Sequence, residues 1–490
     1  MSEEERKTMA VLEHLEPKKV FQFFEELCQI PHGTFDMERI SNHCAAFGKE
    51  RGLETIQDEV GNVVIKKPGT EGYENSEPVI LQGHMDMVCE KKPGTEHDFK
   101  KDPLKLRIVD GNVMATDTTL GADNGVAVAM AMALLDSDDI PHPPLEVLFT
   151  IDEETGMGGA TAIDMSIFKG RMLLNLDSED EGVFTAGCAG GINIENHVPV
   201  KKEAAEGTQV TLRIHNLLGG HSGIEIDQQR GNANKMMGRL LDHISKEVEF
   251  VLTEVNGGSK ANVISFDTTA KILVKAEEAA KVKEIADNLK AVWDEEFMGD
   301  EANLTVDVTE EAGISVQAFD KDSTDRVISY LIIIPNGVME YSRKLKGSVE
   351  TSLNIGVVET CDGYVRGCFQ IRSSVESKKQ QLRDYVERCG KVVGGTTVIT
   401  GDYPAWQYNP QSKLRDVMID TYTKMYGKAP EVVTIHAGLE CGLFLGKRPD
   451  LDCISIGSNL KNVHSFNESM DIESAARTWD YVKAVLANLK

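Results

Sequence analysis

A chain of 490 residues is longer than a single compact core ordinarily supports, so two domains are expected. Apolar residues at 41% and charged residues at 27% exclude a disordered or fibrous chain, and 52 basic against 79 acidic residues leave a formal charge of −27 that makes nucleic acid an unfavourable partner. The longest apolar stretch, Val126 to Leu135, is too short for a membrane span, and the start Met1-Ser2-Glu3-Glu4-Glu5-Arg6-Lys7 does not read as a leader; a cytoplasmic protein without a membrane partner is expected. Nine cysteines, an odd number without Cys-x-x-Cys pairs, read as reduced thiols rather than as a disulfide scaffold or a structural zinc site.

In chain order, residues 17 to 185 alternate helical patterns, Lys18–Cys28 and Glu38–Arg51, with short apolar runs, Pro78–Leu81 and Leu145–Ile151, which predicts an α/β layer sandwich. Asp123-Asn124-Gly125 leads into Val126–Leu135, small and apolar on every side, which predicts a buried helix after a loop. Two apolar runs end in acids: Val147–Ile151 before Asp152-Glu153-Glu154, and Met172–Leu176 before Asp177. In open α/β sheets the ligand crevice lies beyond the carboxyl ends of the strands, so these acids are expected to meet. From 190 to 398 strands alternate with amphipathic helices, and a weak repeat of about 90 residues relates Ala261–Ile264, Lys271–Val274 and the helix Glu277–Trp293 to Leu353–Gly356, Tyr364–Ile371 and the helix Glu376–Cys389. Gly390 and Gly394-Gly395 mark the exit, and 400–490 returns to the α/β texture with a strand at Leu451–Ile456 and a closing helix at Ile472–Leu489. The expected division is therefore 1–188 and 400–490 for one domain, with 189–399 inserted into it.

Five segments carry metal-capable residues in turn-like or strand-end settings: Gly83-His84-Met85-Asp86, Gly121–Gly125, Asp152–Gly156, Asn175–Glu179 and Asn462–Ser465. Each alone has an ordinary explanation as a turn, a solvated helix start or a surface histidine. Together, two imidazoles and three carboxylates in separate loops match what a pair of zinc-like cations needs, with one carboxylate bridging and one further acid as a base. The adjacent Glu153 and Glu154 supply both functions, one coordinating while the other faces a water.

Through His84-x-Asp86, Asp123-Asn124-Gly125, Glu153-Glu154-x-Gly156, Asp177 and His464, in this order, the sequence resembles the M20 metallopeptidases. The resemblance covers nearly the whole chain. Leu81–Val88, Thr119–Gly125, Gly219-Gly220-His221-Ser222-Gly223 and His436-Ala437-Gly438-Leu439-Glu440-Cys441-Gly442 are similar to the aminoacyl-histidine dipeptidase branch of that family. It implies an α/β, phosphorylase/hydrolase-like zinc-peptidase catalytic domain with an inserted α+β lid of two stacked units. It also implies that His84, Asp123 and Asp177 serve one metal and Asp123, Glu154 and His464 the other, with Glu153 as general base and Asp86 orienting His84. Two divalent cations are implied, Zn2+ first, with Mn2+ or Co2+ as alternatives.

In the lid, the histidine matching His221 reaches the scissile carbonyl in the resembling enzymes, where a donor stabilises the oxyanion. Asn262 and Arg372 are candidate substrate-binding residues, Arg372 suiting a substrate carboxylate, and Glu440, in a Gly-rich loop, suits a free amine. The expected activity is hydrolysis of dipeptides with a free N-terminus, Xaa-His dipeptides including carnosine preferred, by water activated at two metals in a monomer or homodimer. A broad dipeptidase, a tripeptidase or an N-acyl amino acid deacylase of the same family is the alternative, and an inactive scaffold a more distant one.

Overall fold

Strands covered on both faces read as continuous apolar runs rather than as alternation. Val79–His84 and Leu145–Thr150 are buried at every position, and Met172–Asn175 and Asp452–Ser455 nearly so. In the computed structural model, which describes residues 11–490, these four strands are parallel and form the middle of an eight-stranded sheet. The order is 54–57, 63–67, 145–150, 79–84, 172–175, 452–455, 183–188, 431–435, and the strands outside the parallel four run antiparallel where 63–67 meets 145–150 and where 452–455 meets 183–188. The charged stretch Met1–Lys7 lies outside the described residues.

The helices expected at 18–28 and 38–51 are present as Lys18–Cys28 and Glu38–Glu50. The buried Val20, Phe21, Phe24 and Leu27 recur on one face of the first, as an amphipathic helix requires. Ala122–Leu135 is a helix buried on all sides and packs against Lys18–Cys28. A small four-stranded sheet pairs 106–109 and 112–115 with 469–471 and 460–461. Among the described residues no helix is long and apolar enough to cross a membrane.

The chain divides into two compact units. Among the described residues the first comprises 11–187, 408–434 and 439–490; the second comprises 188–407 and 435–438. The boundary expected at 399/400 falls inside the strand Thr396–Tyr403, which pairs with Gly190–Pro199 and so belongs to the second unit. The second unit is built on an antiparallel nine-stranded sheet in which the repeat is visible as two halves. One half holds strands 305–319, 202–215, 268–274 and 251–257 with helices 233–245 and 279–296; the other holds 337–341, 349–360, 364–373, 190–199 and 396–403 with helices 321–333 and 376–392. They join edge to edge at Gly257 and Val358, and one apolar core fills both. The repeat is not exact: Leu353–Gly356 lies within a strand, whereas Ala261–Ile264 forms a turn held by Asn354 Nδ2, which donates to the carbonyls of Ala261 and Val263 at 2.8 Å each.

Candidate metal centre

The parallel strands of the first unit deliver the ligand candidates from their carboxyl ends. His84 is the last residue of strand 79–84, Glu153 and Glu154 follow strand 145–150, and Asp177 follows strand 172–175. Asp123 enters at the start of helix 122–135, where it and Asn124 have non-helical dihedrals and share a cis peptide. His464 stands in a tight loop with φ of 60° after strand 460–461.

His84, Asp123, Glu154, Asp177 and His464 converge. His84 Nε2 lies 3.2 Å from Asp123 Oδ1 and 3.5 Å from Asp177 Oδ1, while His464 Nε2 lies 3.1 Å from Asp123 Oδ2 and 3.0 Å from Glu154 Oε2. Each imidazole nitrogen thus faces two carboxylates, and Asp123 turns one oxygen to each imidazole. A single N–H cannot serve two acceptors well, but two donor atoms each about 2.0–2.2 Å from one tetrahedral cation stand roughly 3.3–3.6 Å apart, close to the spacing seen. Ligand atoms of His84, Asp123 and Glu154 all lie within 4.8 Å of one another, and Glu154 Oε1 is buried without a partner. Among the described residues no Lys or Arg pairs with any of the three carboxylates. The donor set therefore fits divalent cations.

The electrostatics point the same way. Burial would lower the His84 pKa, but Asp177, Asp123 and Asp86 outweigh it and hold it well above the ordinary histidine value. Hydrogen bonds to Asp123 and Glu154 raise His464 to about 11. Burial, then the negative Asp123 and Glu154, raises Asp177 above the ordinary carboxylate value despite His84. Glu153 is raised well above it by burial, with Asp177, Glu440 and Glu154 adding to the effect and His84 opposing it. Crowded acids with too little positive charge nearby are the setting in which a dication is stabilising.

Asp86 is buried behind His84, and the expected contact is altered in detail: His84 Nδ1 is 3.0 Å from the Asp86 backbone carbonyl and 3.5 Å from its carboxylate Oδ1. Both acceptors select the tautomer that leaves Nε2 free toward Asp123. The Asp86 carboxylate also accepts from Thr34 Oγ1 at 2.9 Å, from the Glu153 N–H at 3.2 Å and from the Glu154 N–H at 3.4 Å. One carboxylate therefore fixes the loop carrying both glutamates.

Glu440 is not in a loop as expected but opens the helix Glu440–Lys447, fully buried. Its Oε2 accepts from Gln82 Nε2 at 2.6 Å and Thr150 Oγ1 at 2.8 Å, while its Oε1 has no partner. Burial, then Asp177, pushes its carboxyl up to about 8, with His84 opposing. Sequence reasoning missed Glu468, whose buried carboxylate accepts four backbone N–H groups from Leu120 to Asp123.

The second unit holds the other candidates. His221 follows Gly219 and Gly220, both at positive φ, and its Nδ1 accepts from the Gly223 and Ile224 N–H groups at 3.2 Å each. That leaves its Nε2 as the donor in the neutral ring, and burial followed by Arg372 lowers its pKa, favouring that ring. Asn262 lies in the 261–264 turn, its carbonyl accepting from Ser222 N–H at 3.0 Å. Arg372 is buried in strand 364–373, donating from Nη1 to Tyr403 Oη at 3.1 Å and leaving Nε without a partner.

Residues 80–488 match the model of peptidase family M20/M25/M40. The chain is 38% identical over 483 residues to the cytosol non-specific dipeptidase of Escherichia coli K12, covering 98% of this chain and 99% of that one. The crystal structure of the aminoacylhistidine dipeptidase from Vibrio alginolyticus superposes with a TM-score of 0.91 at 37% identity, covering 98% of both chains. An aminopeptidase, PepT, from Bacillus cereus ATCC 10987 shares the fold at a TM-score of 0.55 and 16% identity over 97% of this chain and 99% of that one. The chain belongs to peptidase family M20/M25/M40, a family of peptide hydrolases.

Proposed function

We propose that the chain is a metal-dependent dipeptidase that hydrolyses dipeptides with a free N-terminus, preferring Xaa-His dipeptides, carnosine among them. The observation that carries this reading is the convergence of His84, Asp123, Glu154, Asp177 and His464 beside Glu153. His84, Asp123 and Asp177 would hold one cation and Asp123, Glu154 and His464 the other, with Asp123 common to both sets. When bound, the cations, Zn2+ with Mn2+ or Co2+ as alternatives, supply Lewis-acid polarisation of the scissile carbonyl and acidify water. Glu153 takes the water's proton on its carboxylate and delivers it to the leaving nitrogen. Asp86 orients His84 through its ring and holds the Glu153 backbone. His221 donates from Nε2 to the developing oxyanion.

Recognition of both ends of a dipeptide is supported by unpartnered buried groups: Glu440 Oε1 suits a substrate ammonium and Arg372 Nε a carboxylate, with Asn262 beside His221 as a further polar contact. The cytosol is the proposed compartment, as in the name of the Escherichia coli relative. The two relatives' names differ on specificity, one non-specific and one aminoacylhistidine, so specificity is the point to test.

A panel of free, N-acetylated and C-amidated dipeptides, with tripeptides, assayed with Zn2+, Mn2+ or Co2+, decides between the readings. Each charge-assisted end contact is worth about 1.5–3 kcal/mol, so blocking either terminus is expected to cost roughly tenfold to a hundredfold in kcat/KM. Equal rates across all free dipeptides would replace the Xaa-His preference with broad specificity. N-acetylated substrates cleaved as fast as free ones would favour a deacylase, and silence with every metal would favour a scaffold.

A further inference from the structure

The helix that carries Asp123 does not by itself fix where that carboxylate goes, because Asp123 and Asn124 depart from helical dihedrals at its first turn. Two side chains hold this entry. Asn124 Oδ1 accepts the His84 N–H at 3.2 Å and its Nδ2 donates to the Leu176 carbonyl at 2.8 Å, which ties the entry to the end of strand 79–84 and to the residue that follows strand 172–175. The second is Glu468. Its Oε2 accepts the N–H groups of Leu120 at 2.7 Å and Gly121 at 3.0 Å, and its Oε1 those of Ala122 at 2.8 Å and Asp123 at 3.3 Å.

The first amides of a helix have no partner within it, and here one carboxylate buried to 2% exposure takes a run of four. The same Glu468 is four residues beyond His464, and a chain of turns connects them: Ser465 Oγ donates to the Asn462 carbonyl at 2.7 Å and accepts the Asn467 N–H at 3.2 Å, and the Glu468 N–H donates to the Ser465 carbonyl at 3.0 Å. Glu468 is thus the link between the loop of Asp123 and the loop of His464, the two residues whose Oδ2 and Nε2 stand 3.1 Å apart.

We propose that Glu468 is a positioning residue of the metal centre, a buried clamp that holds the carboxylate of Asp123 and the imidazole of His464 at a spacing where both could serve one cation. The proposal rests on the reading of Asp123 and His464 as ligands. Glutamine at this position would keep the shape but turn an NH2 toward two of the four N–H donors, so two backbone amides lose their acceptor and the loop is free to shift. Removal of an outer partner of a metal ligand typically weakens metal affinity about tenfold to a hundredfold.

The test is titration of metal-free protein with Co2+, read as affinity and as the visible absorption spectrum, for the unaltered protein, Glu468→Gln, Asp123→Asn and a matched control, Glu146→Gln. Glu146 is likewise buried and clamps a loop, accepting the N–H groups of Lys169 and Gly170 at 2.9 Å each, but touches no ligand candidate. Expected for Glu468→Gln is about a tenfold to hundredfold loss of Co2+ affinity with an altered spectrum, while Glu146→Gln lowers Tm and leaves both unchanged. Unaltered affinity and spectrum in Glu468→Gln, with Asp123→Asn impaired, overturns the positioning role alone. An unimpaired Asp123→Asn overturns the ligand reading and the proposal with it. If Glu468→Gln does not fold, Glu468→Asp, which keeps the charge with a shorter reach, is measured against the same outcomes; failure of both to fold while Glu146→Gln folds assigns Glu468 to folding and overturns the proposal.

Discussion

Glu153 and Glu154 are the same residue type, one position apart, on a short helix whose two leading N–H groups are both held by Asp86. Their side chains nevertheless meet different surroundings: Glu154 Oε2 lies 3.0 Å from His464 Nε2, whereas the groups acting on Glu153 do so through charge. The difference leads to opposed expectations for the two alanine variants. Glu153→Ala is expected to retain both cations and lose about a hundredfold to ten-thousandfold in kcat, the usual share of a general acid–base group. Glu154→Ala is expected to lose one cation, since three protein donors become two. Metal content by elemental analysis, measured on the same samples as the kinetics, checks this. Loss of metal in Glu153→Ala with metal retained in Glu154→Ala would exchange the two assignments.

At the scale of elements, helix 122–135 shows how tightly the first unit is built. Ala127, Ala129, Ala131 and Ala133 are at most 3% exposed, so the helix has small residues on every side because neighbours approach on every side. Ala129→Leu adds three carbons where no space is open and is expected to destabilise by about 1–3 kcal/mol, read as a lower urea midpoint with an unchanged slope. A neutral result would mean that the surroundings of this helix yield more than its burial implies. The helix itself was legible because no polar residue interrupts Val126–Leu135. So were the central strands, whose apolar runs stop at Asp152 and Asp177, and the ligand candidates that follow from those stops. Strands 106–109 and 112–115 were not, since Arg107, Asp110 and Asn112 give them the texture of a loop and their partner strand 469–471 lies more than 350 positions on. Glu468 was illegible for a related reason: its partners are backbone amides 345 to 348 positions away, and backbone leaves no mark in the side-chain pattern. The Ala261–Ile264 turn departs from its echo at Leu353–Gly356 because Asn354, 93 and 91 positions from Ala261 and Val263, takes their carbonyls, a contact that leaves no mark in the residues of the turn itself.

For the molecule as a whole, two effects with opposite signs compete when the solution is acidified. The formal charge of −27 at pH 7 makes the folded chain repel itself, and protonation of surface acids relieves this, so net charge alone predicts rising stability on mild acidification. Buried histidines predict the reverse. His436, in the short segment 435–438 of the second unit, is lowered to about 3 by burial, then by the positive Arg372 and by His221. Its Nε2 is 2.7 Å from Ser352 Oγ and its Nδ1 is buried without a partner, so no acid stands ready to receive an added proton. In the unfolded chain a histidine titrates near its ordinary value of about 6.5. Between about 6.5 and about 3 the unfolded state therefore holds a proton that the folded state refuses, and stability must fall as pH falls through this window, by up to about 1.4 kcal/mol per pH unit. His32, His142 and His221 are lowered by burial too and add to the same slope. His436→Gln retains a side chain able to hydrogen-bond Ser352 but cannot take up the proton, so it removes this share of the slope while leaving the net charge at pH 7 as it was. Urea unfolding at several pH values from 7 to 4 is expected to show a shallower loss of stability in His436→Gln than in the unaltered protein, with the two curves converging above pH 7 apart from a constant offset. Parallel curves across that range would mean that His436 is protonated in the fold as readily as in the unfolded chain, and the acid response would then belong to the other buried groups.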